Sequence, residues 1–270
     1  MNFFPNAKIN LGLNITEKRS DGFHAIESVF VPIPWFDELE IIASKAATRF
    51  TSSGIPIPGF AKDNLCLKAY YLLKSKYDIP EVNIHLKKNI PIGAGLGGGS
   101  ADAAFVLKGL NSLFSLNIST FELEDFARLL GSDCAFFIQN KPVLAIEKGD
   151  VFKEIELDIT KYYIVLVYPN EHVSTQMAYS GVVPKKPDYE LIDRLSMPES
   201  DWKAFVHNDF EASIFGQLPH LKTIKSSLYE YGAFYAAMSG SGSTIYGLFK
   251  SIPPKVKFDN AIVYASRLTI

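Results

Sequence analysis

Residues 90–104 read Ile-Pro-Ile-Gly-Ala-Gly-Leu-Gly-Gly-Gly-Ser-Ala-Asp-Ala-Ala, the composition of an anion cradle. Five glycines, Gly93, Gly95, Gly97, Gly98 and Gly99, fall within seven positions, directly ahead of a helix-forming stretch. Glycine lets backbone amides turn inward with no Cβ in the way. The first turn of the following helix adds unpaired N–H groups and the positive end of its dipole. Phosphate is the anion such loops most often take. Ser100 has the chemistry to cap the helix and to offer a hydroxyl to a phosphate or a metal.

Two common phosphate loops are excluded or demoted. A Walker loop ends in Gly-Lys-Ser/Thr, and no lysine lies between Lys88 and Lys108. Gly93, Gly95 and Gly98 satisfy the dinucleotide pattern G-x-G-x-x-G. That fingerprint should follow a fully buried parallel strand. The preceding residues, Val82-Asn83-Ile84-His85-Leu86-Lys87, instead alternate as a strand with one wet face does. The acid expected about 20 positions on is Glu122, inside a predicted helix.

Two further places carry candidate chemistry. Over residues 7–15, Ile9, Leu11, Leu13 and Ile15 share one strand face, and Lys8, Asn10, Gly12 and Asn14 share the other. Period 2 sets Lys8 beside Asn10, pointing the same way. Such a pair either meets water or walls a polar site, and composition does not choose. Asp133 opens the apolar stretch Cys134-Ala135-Phe136-Phe137. Taken alone, it reads first as a helix cap.

The elements that must position these residues follow from periodicity and punctuation. Strands are expected at 7–15, 27–33, 37–43, 82–87, 143–147 and 162–168, the last apolar on both faces and therefore central. Pro32 and Pro34 mark a break between the second and third. Arg19-Ser20-Asp21-Gly22-Phe23-His24 reads as a turn, and residues 53–62 as an irregular loop. Helices are expected from Asp63 or Asn64 to about Tyr77, from about Ser100 to Phe114, and from Pro219 to Tyr231. Ser119-Thr120-Phe121-Glu122 is a capping box opening another that Gly131 ends. Strands and helices mix without a βαβ rhythm, so the class is α+β. A domain boundary is placed near 155, giving 1–155 and 156–270.

Composition excludes several functions. The 270 residues are 47% hydrophobic and 21% charged, with a net charge of −2. Near-neutral charge gives no case for nucleic acid. The longest apolar run, Tyr162 to Tyr168, is too short to span a bilayer. Cys66 and Cys134 have no metal or disulfide spacing and are expected free, as in a reducing cytosol. No signal peptide is read at the N-terminus. A cytoplasmic enzyme with no membrane and no obligatory protein partner is expected.

Three stretches combine into a pattern. Pro5-Asn6-Ala7-Lys8-Ile9-Asn10-Leu11, the loop from Pro91 to Ala104, and Ser239-Gly-Ser-Gly-Ser243-Thr244 resemble, in order and spacing, the three motifs of the GHMP kinases. Arg19-x-Asp21-Gly22-Phe23-His24, Gly131-Ser-Asp133 and His207-Asn208-Asp209-Phe210-Glu211 narrow the resemblance to the branch acting on a diphosphocytidyl-linked methylerythritol. The resemblance implies a two-domain α+β fold. Its N-terminal, nucleotide-binding half is like the ribosomal protein S5 domain 2, its C-terminal half is ferredoxin-like, and the active site lies in the cleft between them. It implies transfer of the ATP γ-phosphoryl group to the substrate's 2-hydroxyl, in the non-mevalonate isoprenoid pathway.

By the same resemblance, Lys8 and Asp133 are catalytic. Pro91, Gly93, Ala94, Gly95, Leu96, Gly97, Gly98, Gly99 and Ser100 hold ATP, with Asn64 and Leu65 near the adenine. Asn10, Phe23, His24, Asp133 and Tyr179 meet the cytidine diphosphate substrate. Mg²⁺ is expected with ATP, and Ser100 is the nearest candidate ligand. Three positions depart from the family pattern: Ala101 replaces a second serine, Phe23 a tyrosine, and Glu147-Lys148-Gly149-Asp150 a Gly-x-Gly-Glu. Competing readings are another GHMP small-molecule kinase of homoserine or mevalonate type, a catalytically silent small-molecule-binding relative, and an NAD-dependent enzyme.

Overall fold

In chain order the strands and helices begin with β1 (Asn2–Phe3), β2 (Asn6–Lys18), β3 (His24–Phe36), β4 (Glu38–Ser44), β5 (Arg49–Gly54), α1 (Leu65–Lys74), β6 (Glu81–Lys88), α2 (Gly98–Leu113), α3 (Thr120–Leu130) and α4 (Phe136–Gln139). They continue with β7 (Val143–Ile146), β8 (Val151–Glu154), β9 (Tyr163–Tyr168), α5 (Thr175–Ser180), α6 (Leu191–Leu195), α7 (Glu199–Phe205), α8 (Phe210–Gln217), α9 (Pro219–Glu230), β10 (Tyr235–Met238), β11 (Ile245–Phe249) and β12 (Ile262–Arg267). This is a computed structural model, and it describes residues 1–269.

The chain divides into two compact units that are not continuous in sequence. The first comprises residues 1–7, 35–92 and 97–141. Its sheet runs β1-β4-β6-β5, antiparallel except that β5 lies parallel to β6. Residues Val82, Ile84 and Leu86 of β6 are buried while Asn83 and Lys87 are exposed, so the alternation expected there is present. Helices α1, α2 and α3 pack on one another, and α2 also packs on β4. Ser119 and Glu122 bond reciprocally to each other's backbone, making the capping box of α3.

The second unit comprises residues 8–34, 93–96 and 142–270. It holds a sheet ordered β2-β3-β7-β8 and an antiparallel sheet ordered β10-β11-β9-β12. Strand β9 lies between β11 and β12, with Ile164 to Val167 buried, as its unbroken apolar run predicts. Helix α9 packs on β10 and β11, and Leu221, Ile224 and Leu228 face a core with Val165, Val167, Ala236, Met238 and Ile245. Strand β2 is tied to the segment before α8: Leu13 N–H donates to His207 O at 2.8 Å, Asp209 N–H to Leu13 O at 2.9 Å, and Ile15 N–H to the Asp209 carboxylate at 2.7 Å.

Three expectations are corrected. Pro32 and Pro34 do not break the chain, and β3 runs through both. Within β3, only Ser28, Val29 and Phe30 pair with β7. Both prolines lie beyond that pairing, where the β7 side of β3 has no ladder bond to lose. Ser100 does not cap α2. Gly97 is the N-cap residue with no side-chain bond, and Ser100 lies inside the first turn. Residues 49–54, part of them read as loop, form β5.

Candidate functional site

The second unit holds Lys8 and the first half of the glycine loop. Lys8 is 3% exposed. Its ammonium donates to Asn10 Oδ1 at 2.6 Å and lies 4.6 Å from the centre of the Phe30 ring. Asn10 Nδ2 donates to Ser28 Oγ at 2.8 Å, and that hydroxyl donates to Gly12 O at 2.6 Å. Lys8 and Asn10 therefore do not meet bulk water. They form a buried polar row whose orientation is fixed by hydrogen bonds.

The loop carbonyls are committed to this unit. Lys8 N–H donates to Leu96 O at 2.9 Å, Ser239 Oγ to Gly95 O at 2.8 Å, and Thr244 N–H to Ala94 O at 3.3 Å. His172 Nδ1 lies 3.2 Å from Gly93 O. Gly93, Gly95 and Gly97 have φ of 66°, 78° and 69°. Left-handed residues alternating with others turn successive amides to one side and make a concave nest for an anion. With the carbonyls of residues 93–96 already committed to protein partners, the loop amides are the groups left to meet a phosphate. The amides of the first turn of α2 follow directly and have no intrahelical acceptor.

Three residues that the sequence reading gave no site role hold this arrangement. Ser239 also accepts Asn10 N–H at 3.4 Å, so one hydroxyl fixes both the lysine strand and the loop. Asn208 Nδ2 donates to Met238 O at 2.7 Å and Gly240 O at 2.8 Å, positioning the Ser239 turn. Tyr246 OH donates to Asn10 O at 2.8 Å. The second glycine cluster was the available signal for Ser239. For Asn208 the available signal was the His207-Asn208-Asp209-Phe210-Glu211 stretch.

The aromatic residues expected at the substrate also lie in the second unit. His24 and Tyr179 stack with centroids 4.6 Å apart and planes inclined by 20°. Tyr179 also presents its ring to Phe210 at 4.9 Å in an edge contact. Phe23 is 60% exposed, with the Lys148 ammonium 5.3 Å over its ring. The ring stacked on Tyr179 is that of His24. The turn is held from below. Arg19 pairs with Asp21 at 3.1 Å and with Glu147, and Asp21 accepts Phe23 N–H at 3.1 Å. That backbone bond, the largest influence, and Arg19 draw the Asp21 carboxyl below its ordinary pKa. Glu147 stands at φ 58° and Gly149 at φ 84°, so the departure from Gly-x-Gly-Glu leaves a non-glycine in left-handed backbone.

The first unit holds Pro91, Gly97, Gly98, Gly99, Ser100, Asn64, Leu65 and Asp133. Asp133 is half-buried in the turn before α4, and Ser132 Oγ donates to its carboxylate at 3.4 Å. The next residue, Cys134, shares a hydrogen bond with Ser100, which sets the first turn of α2 beside the Asp133 turn. Burial pushes the Cys134 thiol up to about 11, against the pull of that hydrogen bond, so it stays protonated and inert. Asn64 Oδ1 accepts Cys66 N–H at 2.8 Å and caps α1.

The second unit thus holds Lys8 with the first half of the glycine run, and the first unit holds Asp133 with the second half. Residues 64–141 match the GHMP kinases N terminal domain, and residues 194–261 match the GHMP kinases C terminal domain. The chain belongs to the GHMP kinases. A 4-diphosphocytidyl-2-C-methyl-D-erythritol kinase of Cytophaga hutchinsonii is 55% identical to it over 251 residues, 93% of each chain. One from Bacteroides fragilis is 51% identical over 259 residues, 95% of this chain and 94% of that one. A crystal structure of 4-(cytidine 5'-diphospho)-2C-methyl-D-erythritol kinase superposes with a TM-score of 0.79 at 31% identity, covering 92% of this chain and 90% of that one. The mevalonate kinase of Methanococcus jannaschii, 12% identical with a TM-score of 0.74 over 100% of this chain and 98% of that one, shares the fold. Among the described residues, no helix is long and apolar enough to cross a membrane.

Proposed function

We propose that this chain transfers the γ-phosphoryl group of ATP to the 2-hydroxyl of 4-diphosphocytidyl-2-C-methyl-D-erythritol, as a cytoplasmic enzyme of isoprenoid precursor synthesis. The observation that carries the phosphoryl-transfer reading is the loop with its carbonyls committed and its left-handed glycines alternating. The near full-length likeness to relatives bearing that substrate's name supports the acceptor. The nucleotide-binding half is assigned to 1–155 and the remainder to 156–270, a division that falls between the two matched family stretches.

Phosphoryl transfer passes through a loose transition state, so positioning and charge stabilisation supply most of the rate. Amides of residues 95–100 hold the triphosphate. Lys8 stabilises charge developing on the transferred group. Asp133 accepts the proton of the attacking hydroxyl, or orients that hydroxyl. Asn64 and Leu65 border the adenine. Mg²⁺ neutralises phosphate charge when bound. Among the described residues no group of three His, Cys, Asp or Glu is placed to hold an ion alone. Mg²⁺ usually keeps several waters and is bound through substrate phosphates, and Ser100 would supply the protein oxygen. ADP release, measured with the diphosphocytidyl substrate, homoserine and mevalonate in parallel, should occur with the first alone. Turnover of either other alcohol at a comparable rate overturns the substrate assignment.

Cytosine recognition is assigned to Tyr179, His24 and Phe23. Tyr179 offers a ring face, which recognises any pyrimidine. His24, fixed beside it by the Asp21-Gly22 turn, reads the edge. Tyr179→Ala should lower kcat/KM for the cytidine substrate and a uridine analogue alike, by roughly ten- to a hundredfold, the scale of one stacked base. His24→Ala should narrow the ratio between the two nucleotides, because a polar reader rejects the wrong base more strongly than an apolar wall. Phe23→Ala, on an exposed ring, should have the smallest effect. An unchanged cytidine-to-uridine ratio in His24→Ala removes that side chain as the reader.

A further inference from the structure

The loop is flanked by a buried charge cluster that the reaction does not use. Lys88 ends β6, Asp37 lies between β3 and β4, and Asp102 lies on α2; they are 2%, 0% and 3% exposed. The Lys88 ammonium donates to Asp37 Oδ2 and, at 2.7 Å, to Asp102 Oδ2. The other oxygen of Asp37 accepts Asn89 N–H at 2.6 Å and Ile90 N–H at 2.8 Å, and its own N–H donates to Pro5 O at 2.8 Å. Asp37 therefore pins the backbone immediately before the loop, while Asp102 stands one turn into the helix that follows it.

We propose that Lys88 is a positioning residue for the phosphate loop: shared between Asp37 before the loop and Asp102 after it, its ammonium fixes the span between the loop's two ends and so the spacing of the amides that hold ATP. The inference rests on the reading of residues 93–100 as the ATP cradle. One glycine of the run supports it independently. A Cβ on Gly98 would lie 3.0 Å from Lys88 Nζ and 2.9 Å from Ile90 Cγ2. Gly98 has no left-handed φ to explain it. It is glycine because the lysine passes beneath the first turn of α2. A cluster serving only to fill the core has no need of two acids on one cation. Burial, the largest influence, raises the Asp102 carboxyl to about 7, and Asp37 adds to the rise against the pull of Lys88. Cys66 on α1 is the other titratable group that these charges reach, and burial keeps its thiol neutral.

The test compares Asp102→Leu, Asp102→Asn and Lys88→Met with the parent, measuring thermal midpoint, KM for ATP, KM for the acceptor, and kcat at saturating ATP. Asp102→Leu leaves the Lys88–Asp37 pair in place, so it reports even if Lys88→Met fails to fold. The expected result for Asp102→Leu is a KM for ATP raised about tenfold, the effect of losing one charge-assisted bond, with acceptor KM and kcat changed much less. Asp102→Asn keeps an oxygen for the ammonium and should restore the ATP KM. A lowered midpoint with unchanged ATP KM in Asp102→Leu makes the cluster structural only and overturns the proposal. Equal defects in the Asn and Leu variants, or equal increases in both KM values, overturn it too. A parent that does not bind ATP at all overturns the cradle reading as well, and is thereby distinguished from failure of the lysine's role alone.

Discussion

Asp133→Asn and Lys8→Ala should each lower kcat by roughly 10²–10⁴-fold, the range for a positioned acid–base group, with substrate KM values moving far less. The asparagine keeps the shape of Asp133 and its hydrogen bond from Ser132, and removes only the capacity to take a proton as a carboxylate. If Asp133 orients the hydroxyl without accepting its proton, the loss falls at or below the lower end of that range. A near-normal kcat in Asp133→Asn excludes it as base. Lys8 needs a second variant because it is 3% exposed and packed on Phe30. Truncation to alanine leaves a cavity and strands the Asn10 amide oxygen. Lys8→Met fills the space without the charge. If Lys8→Ala and Lys8→Met lose kcat equally while their melting midpoints differ, charge is the cause. If the methionine variant retains turnover, Lys8 matters only for packing.

ATP binding should be lost in Gly97→Val while the fold persists. Gly97 stands at φ 69° and ψ 12°, the N-cap of α2. A β-branched residue is a genuine outlier in that conformation, and strain of this kind costs about 1–3 kcal/mol. The side chain also stands where backbone must approach phosphate. Gly97→Asn separates the two effects, since asparagine tolerates left-handed backbone better than other non-glycine residues. The asparagine variant should fold close to the parent and still bind ATP poorly. Titration of ATP into each variant, with circular dichroism as the folding control, decides the matter. Parent-like affinity in a folded Gly97→Val chain removes the cradle.

Local signals were legible where chemistry is local. The capping box at Ser119, the alternation of β6, the uniform burial of β9 and the glycine run each follow from a few neighbouring residues. What stayed hidden depends on partners far along the chain. Pro32 and Pro34 look like a break until β7 is seen to stop pairing at Phe30. Lys8 and Asn10 read equally as solvated until Ser28, Phe30 and Ser239 close around them. The compact units interleave along the chain, which a boundary placed between two neighbouring expected strands has no means to anticipate. Asp37, Lys88 and Asp102 escaped notice because ordinary surface composition and a buried ion cluster use the same letters. Only burial tells them apart.

The bonds from Leu13 and Ile15 to residues 207–209 have a consequence for synthesis. The partners Ile15 and Asp209 are 194 residues apart. At translation rates of about 5–20 residues per second, β2 waits roughly 10–40 s for the carboxylate that receives its N–H. The strand that carries Lys8 is therefore made well before the segment that completes its hydrogen bonds. Ribosome-bound chains ending before Asp209 therefore expose the strand's polar backbone throughout that interval, and a holdase recognising extended apolar segments should find them there.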